Sequence, residues 1–533
     1  IDETINNTPC DFDFTTINEN DTLNIACTHD LKGENIFLPS NVVMNYNGGE
    51  IINGNLFFEE GGKIDGRLLN HQLEVGGKAK LKSTTFDFEK DKWDMVEGET
   101  SDDIALKNKE NFQKAINDAK YLGAEVFKMD DLNACFLVTS ERNLILAFET
   151  SIRIPSDFTL QMTTNTHLRV QPNPHIRYNL LDIREVSNVK VLGGNLIGDR
   201  DQHDYTPQII NGIEKKTHEW GHLIDIASGE NITIKNVNLS YASGDGINIH
   251  STKHAFDAEY IGSNNITIFD CILDSNRRNN ISITDGYNII VENNRFLNAG
   301  IDTKNSKGTS PKAGLDVEAV RKRDADGNLV EYQIAKDIII RNNEEKGGAG
   351  SAFIVAIGQD VTIENNSAEN TVSFHLGNGI KIKDNTINTS DDDAAIVGGN
   401  HKASETVFNN EISGNTILGG SLGIVLYNRD TKVFNNKIKN CVTGIKISNL
   451  RDCDIYDNNI TSSKENCYGI YTHVANADNV DIRNNYINIP YKPIAFVNVN
   501  IDSGHESNTV TVSNNELHGG KVSISNSNGI ILK

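Results

Sequence analysis

The sequence predicts an all-β fold, a right-handed parallel β-helix, and three observations support this prediction. A short strand phrase recurs from about residue 231 to the C-terminal part of the chain. Its period of about 25 residues is too short for a strand-helix-strand unit. The composition combines 37% hydrophobic residues with only 7% aromatic ones and 43 glycines, which is typical of an ordered chain with many small turns.

The recurring phrase alternates β-branched residues with polar ones and ends on Asn or Asp. The repeats read NITIKNV, NITIFDC, NIIVENN, DIIIRNN, DVTIENN, GIKIKDN, TVFNNEI, TKVFNNK, CDIYDNN, VDIRNNY and TVTVSNN. The first polar residues after these strands are Asn236, Asp270, Asn293, Asn342, Asn365, Asp384, Asn409, Asn435, Asp457, Asn484 and Asn514. Each period predicts one coil, and coils stacked about 4.8 Å apart place Ile and Val in a continuous core. We expect the corner Asn residues to form ladders of side-chain hydrogen bonds.

A second strand precedes the first in each coil. These segments read LIDIAS, GINIHS, NISITD, GLDVEAV, GIVLYN, GIKISN and GIYTHV, and their leading glycines fit a tight corner. Two long steps in the repeat come from insertions at about 251–263 and 320–335. Insertions in a solenoid form loops on one face, which is often the binding face, so we expect a binding site beside these loops.

Upstream of the repeat, residues 103–122 carry Phe112, Ala115, Ile116 and Ala119 at helical spacing. They predict an amphipathic helix that caps the open end of the solenoid core. Residues 1–100 read as short strands with Gly and Asn turns, either a small β domain or extra coils. We therefore divide the chain into a β-rich segment, 1–100, and a β-helix with its capping helix, 101–533.

The segments NFQKAINDAKYLGAEVF, TSIRIPSDFTLQM and VSNVKVLGGNLIGD follow one another along the chain. They resemble the entry region of the pectin-lyase-like superfamily, which includes phage tailspikes and bacterial polysaccharide hydrolases and lyases. The resemblance spans roughly residues 105–533. It implies a β-helix that binds a polysaccharide on its outer face, as a monomer or a homotrimer. The stretches GDRDQH, THEWG, GDGI, RRNNISI and AGLDVE resemble β-helix proteins known only by their fold, and imply no particular reaction.

Charge and cysteine content bound the partners and the compartment. A net charge of −23 argues against nucleic acid, because duplex binding needs a basic surface. The first residue is Ile, and no apolar run approaches the length of about 18 residues that a membrane span needs. We therefore expect a mature chain after signal removal, from a secreted or cell-surface protein. Cys10 and Cys27 flank an extended segment and are candidates for a disulfide. The other cysteines are expected to be small buried hydrophobes.

Side chains alternate across a strand, so inward Ile, Leu and Val residues fix which neighbours face solvent. The outward residues on successive coils are Asp225, Asn248, Ser282 and Asp316 in one line and Ala227, His250, Thr284 and Glu318 in the next. Asp316 and Glu318 are two residues apart on one strand, so their Cβ atoms lie about 6.6 Å apart on the same face. This spacing leans toward an inverting glycosidase, in which two carboxyl groups act as acid and base.

Further ionisable and aromatic side chains lie in the turns that lead into the same strands. We predict His250 and Asp245 as additional catalytic residues. The predicted substrate-binding residues are Arg200, His203, His218, Glu219, Trp220, Asp225, Asn248, Arg277, Arg278 and Ser282. Trp220 offers a ring for stacking on a sugar, and Arg277 and Arg278 form part of a basic rim that suits carboxylated or sulfated sugars.

These observations favour a glycoside hydrolase that acts on an acidic polysaccharide. Two alternatives stay open: a uronate lyase or C5-epimerase that uses His250 with Arg277 and Arg278, and a non-catalytic spike or adhesin. No cofactor is required for hydrolysis. Calcium is a candidate ligand at Asp391–393, although clustered Asp in a turn is usually just solvated. The sequence contains no HxH or CxxC pattern for a transition metal.

Overall fold

A computed structural model describes residues 6–139, 147–210, 212–323, 325–326, 329–400, 407–500 and 509–533, except for the side chains at 323, 329, 428, 476 and 500. Three columns of parallel strands, A, B and C in chain order within each coil, form the right-handed β-helix predicted from the repeat. The inward residues of the second strand segments, such as Ile224, Ile247, Ile281 and Leu315, have no exposed surface. They belong to one hydrophobic core that follows the solenoid axis.

The strands of each column are as follows. Column A contains Ile152–Arg153, Arg177–Arg184, Trp220–Ala227, Ile247–His250, Ile281–Ile283, Leu315–Glu318, Val372–Asn378, Ala394–Gly398, Leu422–Arg429, Lys492–Asn500 and Ser523–Ser525. Column B contains Thr85–Asp87, Val126–Met129, Phe158–Met162, Ser187–Leu192, Glu230–Lys235, Asn264–Phe269, Tyr287–Glu292, Lys336–Arg341, Lys381–Lys383, Asn410–Ser413, Thr431–Phe434, Val510–Ser513 and Ile530–Leu532. Column C contains Leu132–Phe136, Thr166–Val170, Asn195–Ile197, Asn238–Ser240, Ile272–Asp274, Arg295–Leu297, Glu344–Lys346, Ser367–Ala368, Thr386–Ile387, Thr416–Leu418, Lys437–Lys439, Asn459–Thr461, Tyr486–Asn488 and Glu516–His518. Three long strands run through columns A and B: Phe353–Glu364, Thr443–Tyr456 and Tyr468–Arg483.

The corner after column B has a left-handed residue followed by a buried Asn, which explains the Asn-rich repeat. The buried residues form the predicted ladder: each side-chain amide donates to the carbonyl oxygen of the next, at 2.9–3.1 Å. The ladder consists of Asn294, Asn343, Asn366, Asn385, Asn415, Asn436, Asn458, Asn485 and Asn515. One anchor was wrong: Asn410 starts a strand, so Asn409 precedes it, and Gly414, with φ of 66°, occupies the corner instead. Gly replaces Asn there because both tolerate this conformation.

The N-terminal part is built from the same kind of coil. Its strands lie in three parallel sets: Thr22–Ile25, Val43–Tyr46, Lys63–Ile64 and Lys80–Leu81; Thr28–Asp30 and Glu50–Ile52; Asn35–Leu38, Gly54–Phe58 and Leu73–Gly77. The short 3-10 turns are Phe14–Thr16, Gly66–Leu68, Lys90–Trp93 and Ala147–Glu149. Cys10 and Cys27 form the expected disulfide, and the described free cysteines are buried. The division of the chain near residue 100 stays a prediction.

The predicted capping helix spans Asp102–Tyr121, and its four predicted apolar residues are fully buried. The ring of Phe112 lies 5.7 Å from that of Phe127, on the first coils of column B, and 5.4 Å from that of Phe136 in column C. The helix therefore packs on the first coils of columns B and C, as the apolar spacing predicted, and Phe88 from the N-terminal part contacts Phe112 in the same core. None of the described helices is both long and apolar enough to cross a membrane.

Long loops turn one stretch of column A into a groove. Residues 198–219 and 298–314 connect column C to column A on one side. Residues 251–263 and 319–335 connect column A to column B on the other side, and include the hairpin strands Arg321–Arg323 and Leu329–Glu331. A second hairpin, Gln208–Ile210 with Ile213–Lys215, extends the first side. The outward face of column A between these loops is the floor that positions the candidate site.

Candidate functional site

The floor of the groove carries one line of polar side chains on successive coils. Register pairs Asp182 with Asp225, Asp225 with Asn248, Asn248 with Ser282, and Ser282 with Asp316. The predicted line from Asp225 to Asp316 is therefore present, and it begins one coil earlier than the sequence indicated. Consecutive members lie about 4.8 Å apart, the separation of neighbouring strands.

Asp316 lies at the C-terminal end of this line, and its carboxyl group has a strongly raised pKa. It is 2% exposed, and its Oδ1 atom has no hydrogen-bond partner among the described residues. Burial, reinforced by the nearby Glu318 carboxylate, raises the pKa of Asp316 to about 7, although the Arg278 guanidinium opposes this shift. The group is therefore largely protonated at slightly acidic pH, which suits a proton donor.

A buried ionic cluster supports Asp316 from the preceding coils. Arg278 donates from Nη1 to Asp245 Oδ2 at 3.0 Å, and the Ser282 hydroxyl donates to the same oxygen at 3.0 Å. Asp245 Oδ1 accepts the backbone N–H of Asn279 at 3.0 Å. Asp245, predicted as catalytic, thus contacts the neighbours of Asp316 from a fully buried position. It is placed to orient the site and to influence the charge of Asp316.

Glu318 points to the same side as Asp316, because Val317 between them is inward and fully buried. Its side chain is 36% exposed, and Oε1 forms an ion pair with Arg321 Nη1 at 3.2 Å. An extra residue in the next strand interrupts the register beside Glu318. The structure therefore brings the predicted carboxyl pair together, with one member buried and the other open to solvent.

His250 does not join that pair. Its Nε2 atom lies 3.1 Å from Asp225 Oδ2, while Asn248 donates to Asp225 Oδ1 at 2.8 Å. Arg184 bridges Asp182 and Asp225, at 3.3 and 3.2 Å. Burial opposes ionisation of Asp225, but the protonated His250 outweighs this and holds the pKa of Asp225 below its usual range. Burial and the Asp225 carboxylate raise the pKa of Asp182 to about 6.

A cleft of about 260 Å³ opens above this second carboxylate pair. Its lining residues are Ala147, Phe148, Arg177, Asn179, Arg184, Trp220, His222, Asp225, Asn248 and His250. The guanidinium of Arg177 lies over the Trp220 ring, 4.7 Å from its centre, and that of Arg184 lies 4.4 Å from the centre of the Phe148 ring. Trp220, predicted to contact sugar, therefore borders a cavity.

Three of the predicted substrate-binding residues are buried within the loop of residues 198–219 and its contacts with neighbouring loops. Arg200 has no exposed surface, and its guanidinium donates to the carbonyl oxygens of Ser275 and Ile301. The buried imidazole of His203 contacts that of His218 at 2.9 Å, and His218 contacts the Thr206 carbonyl oxygen. The expectation that Arg200, His203 and His218 contact substrate is corrected: these side chains connect the loops, and do not face the groove.

Arg277 is also occupied by internal contacts. It donates to the carbonyl oxygens of Thr217, His218, Ser243 and Lys307, at 2.6–3.2 Å. Because Arg278 is paired with Asp245, the predicted basic rim loses both of its central members. Glu219 is half-buried near them. The Asp245 carboxylate raises the pKa of Arg278 most, burial opposes this, and Asp316 and Glu219 add smaller upward shifts.

Two further residues share the register of the predicted line and were not predicted from the sequence. Asp182 and Arg184 in YNLLDIR align with Asp225 and Ala227 in HLIDIA, so extending the outward line by one coil would have found Asp182. The outlying Asp391–393 turn is exposed, and Asp391 pairs with Lys464 at 2.7 Å. The calcium assignment at this turn stays a prediction.

The columns, the cap and the lateral groove define the fold class: the chain is a right-handed parallel β-helix, the fold that the sequence resemblance implied. A solved double mutant of the tailspike protein of E. coli bacteriophage HK620 is similar over 82% of this chain and 77% of that chain. The TM-score is 0.55 and the identity 11%. A single mutant of that tailspike, solved in complex with a pentasaccharide, gives a TM-score of 0.51 over the same shares, at 10% identity. At these identities the likeness concerns the fold alone.

Two proteins of Bacillus subtilis (strain 168) are similar in sequence. The uncharacterized protein YclG is 32% identical over 58% of this chain and 52% of its own length. The SPbeta prophage-derived uncharacterized protein YorA is 30% identical over 54% of this chain and 48% of its own length. The chain therefore spans about half the length of the curated relatives it matches.

Residues 317–500 match a family model described as periplasmic copper-binding protein (NosD). The donors present do not fit a copper site. Cys441, Cys453 and Cys467 in this region are each buried, and the described residues hold no cluster of three or more His, Cys, Asp or Glu side chains arranged for a metal. No chemistry is therefore derived from copper.

Proposed function

We propose that the chain is a polysaccharide-cleaving enzyme, a glycoside hydrolase whose substrate lies along the groove on column A. The observation that carries this proposal is Asp316, a buried carboxyl group with an unpaired oxygen and a pKa raised to about 7, beside the half-exposed carboxylate of Glu318. Two carboxyl groups in unlike surroundings are what glycosidases use as acid and base.

In the proposed mechanism, Asp316 is the general acid. Its proton passes to the glycosidic oxygen as the bond to the anomeric carbon breaks, so the leaving sugar departs as a neutral alcohol. Glu318 takes a proton from the attacking water. Because Asp316 Oδ1 is itself buried, substrate binding must be accompanied by movement of the side chains that cover this atom. The spacing of two residues along a strand, about 6.6 Å, favours inversion.

The lyase or epimerase alternative has weaker support. It needs a base for the C5 proton and a cation for the uronate carboxylate, and the two arginines predicted for that role, Arg277 and Arg278, are bound to internal acceptors. Burial lowers the proton affinity of His250, but the Asp225 carboxylate outweighs it and raises the pKa of His250. A histidine held in its protonated form is a poor base.

Product analysis separates the reactions. The protein, Asp316→Asn and Glu318→Gln are incubated with carboxylated, sulfated and neutral polysaccharides, and products are read by mass and ultraviolet absorbance. We expect saturated oligosaccharides from the native protein and at least a hundredfold less from either variant. Unsaturated products that survive in both variants would identify a lyase, and unchanged polymer with tight binding would identify an adhesin.

The chain is further proposed to act outside the cell or at its surface. The Cys10–Cys27 disulfide supports an oxidising compartment. Whether it acts as a monomer or a homotrimer stays a prediction, which sedimentation of the purified protein tests.

A further inference from the structure

The cleft beside Trp220 does not include Asp316 or Glu318. Its floor contains Asp225, which lies three coils before Asp316, about 14 Å away at one strand spacing per coil. Both lie on the outward face of column A, so a polysaccharide along the groove passes over both. The cleft is thus placed to hold a sugar that is not the one being cleaved.

Arg177 is the unusual residue of this cleft. Its side chain is half-buried against Trp220, and among the described residues no carboxylate lies within ion-pair distance of its guanidinium. The other arginines of the groove have partners: Arg184 has Asp182 and Asp225, and Arg278 has Asp245. The guanidinium of Arg177 is therefore held in position by Trp220, and its N–H groups are placed to donate hydrogen bonds to a ligand.

The local charge balance favours an anion. Two guanidinium groups and His250 face two carboxylates, Asp182 and Asp225, and those carboxylates are already engaged by Arg184 and His250. Among the described residues, Arg177 is left as the cleft cation that has only the longer-range attraction of Asp225 and no ion pair of its own. A planar guanidinium binds carboxylate and sulfate groups with two parallel hydrogen bonds.

We propose that this cleft is a subsite for one acidic sugar residue, whose carboxylate or sulfate group binds Arg177. Trp220 holds the guanidinium in place, while Asn248 and Asn179 on the floor offer amide groups to the sugar hydroxyls. This inference rests on the proposed function and deepens it, because it assigns the preference for an acidic polymer to Arg177 in place of Arg277 and Arg278.

The test uses full-length Asp316→Asn protein, so that oligosaccharides are not consumed. Calorimetric titration compares an oligouronate, its carboxyl-reduced counterpart and a sulfated neutral oligosaccharide. Arg177→Gln is added to this background, and Arg295→Gln is the matched control because Arg295 is an exposed, ion-paired arginine of column C. We expect Arg177→Gln to weaken binding of the acidic ligand about tenfold or more, and Arg295→Gln to leave it unchanged.

Loss for the oligouronate alone identifies a carboxylate, and loss for the sulfated sugar alone identifies a sulfate. Equal binding of acidic and neutral ligands, no binding of any ligand, or equal effects of the two substitutions would overturn the proposal. If Arg177→Gln does not fold, as thermal unfolding shows, Arg177→Lys replaces it and is expected to bind with intermediate affinity. If Asp316→Asn still cleaves the substrate, the catalytic role of Asp316 is contradicted, but the subsite at Arg177 is not. Product analysis detects this cleavage independently of the binding measurement.

Discussion

The coils that carry the groove and the coils that follow them share one backbone but differ in what they present outward. In the groove, the line on column A reads Asp182, Asp225, Asn248, Ser282 and Asp316. The next coils continue the same register with Ile354, Ser373, Val397, Val425 and Lys446. Inward Ile and Val residues stay buried in both regions. The fold therefore does not require the carboxylates, which makes a functional reason for them the better explanation.

The Asn ladder at the corner and the outward face of column A differ in how completely their buried polar groups are paired. The Asn ladder gives each buried amide a partner on the next coil, over nine residues from Asn294 to Asn515. In the groove, Arg278 Nε and Asp316 Oδ1 have no hydrogen bond among the described residues. Unpaired buried polar atoms cost stability, so a ligand that gave Asp316 Oδ1 a hydrogen-bond partner would offset part of that cost.

The largest expected effect is on catalysis. Asp316→Asn keeps the shape of the side chain but removes its transferable proton, so we expect the turnover rate to fall by about 10²- to 10⁴-fold. Initial rates on the substrate identified by product analysis measure it. Thermal unfolding serves as the control for folding, and a variant with near-native turnover would move the acid elsewhere in the groove.

A second prediction concerns the dependence of stability on pH. The pKa of Asp316 is about 7 in the folded state, above the ordinary value of 3.8, so the folded state holds its proton more tightly. This contribution is fully present below about pH 4 and is lost as the pH rises through about 7. Relative to Asp316→Asn, the native protein should lose roughly 3 kcal/mol of unfolding free energy between pH 5 and 9. Urea denaturation at each pH measures this free energy. If it changes by the same amount in both proteins between pH 5 and 9, the assignment is contradicted.

The third prediction addresses the ladder. Asn415→Ala deletes the side-chain contacts to Asn385 and Asn436 and strands buried donors and acceptors, so we expect a loss of about 2 kcal/mol of stability. Turnover per folded molecule should not change. The exposed Asn488→Ala on column C is the control, expected within about 0.5 kcal/mol of the native protein in the same urea titration. Equal midpoints for both variants would show that the ladder adds little.

The repeat made the fold predictable because the solenoid uses one rule per coil. Alternation fixed the inward residues, and the Asn pairs marked the corners. The rule failed at TVFNNEI, where the next corner is formed by Gly414 and a search for Asn pairs selects Asn409 instead. Local composition cannot tell whether Asn409–Asn410 or Gly414–Asn415 forms the corner, because that depends on how the strand pairs with the neighbouring coil.

The candidate site was easiest to predict where its residues lie on strands. Asp316 and Glu318 face outward because Val317 faces inward, a consequence of strand geometry. Arg277, by contrast, lies in a turn, and a long flexible side chain there finds carbonyl oxygens of loops distant in sequence. Such contacts follow from how loops fold over each other, which the repeat does not encode.

The smallest expected effect tests whether register alone carries function. Ser373 occupies the position of Asp316 two coils further on, and Ser373→Ala removes one hydroxyl from the bland part of the line. Because no carboxyl pair lies on that coil, we expect turnover within twofold, roughly 0.4 kcal/mol, and stability within about 0.5 kcal/mol of the native values. Rates and urea midpoints are measured beside those of Asp316→Asn. A tenfold loss of turnover in Ser373→Ala would extend the functional groove beyond Glu318, and would mean that the change from carboxylates to neutral residues does not mark its end.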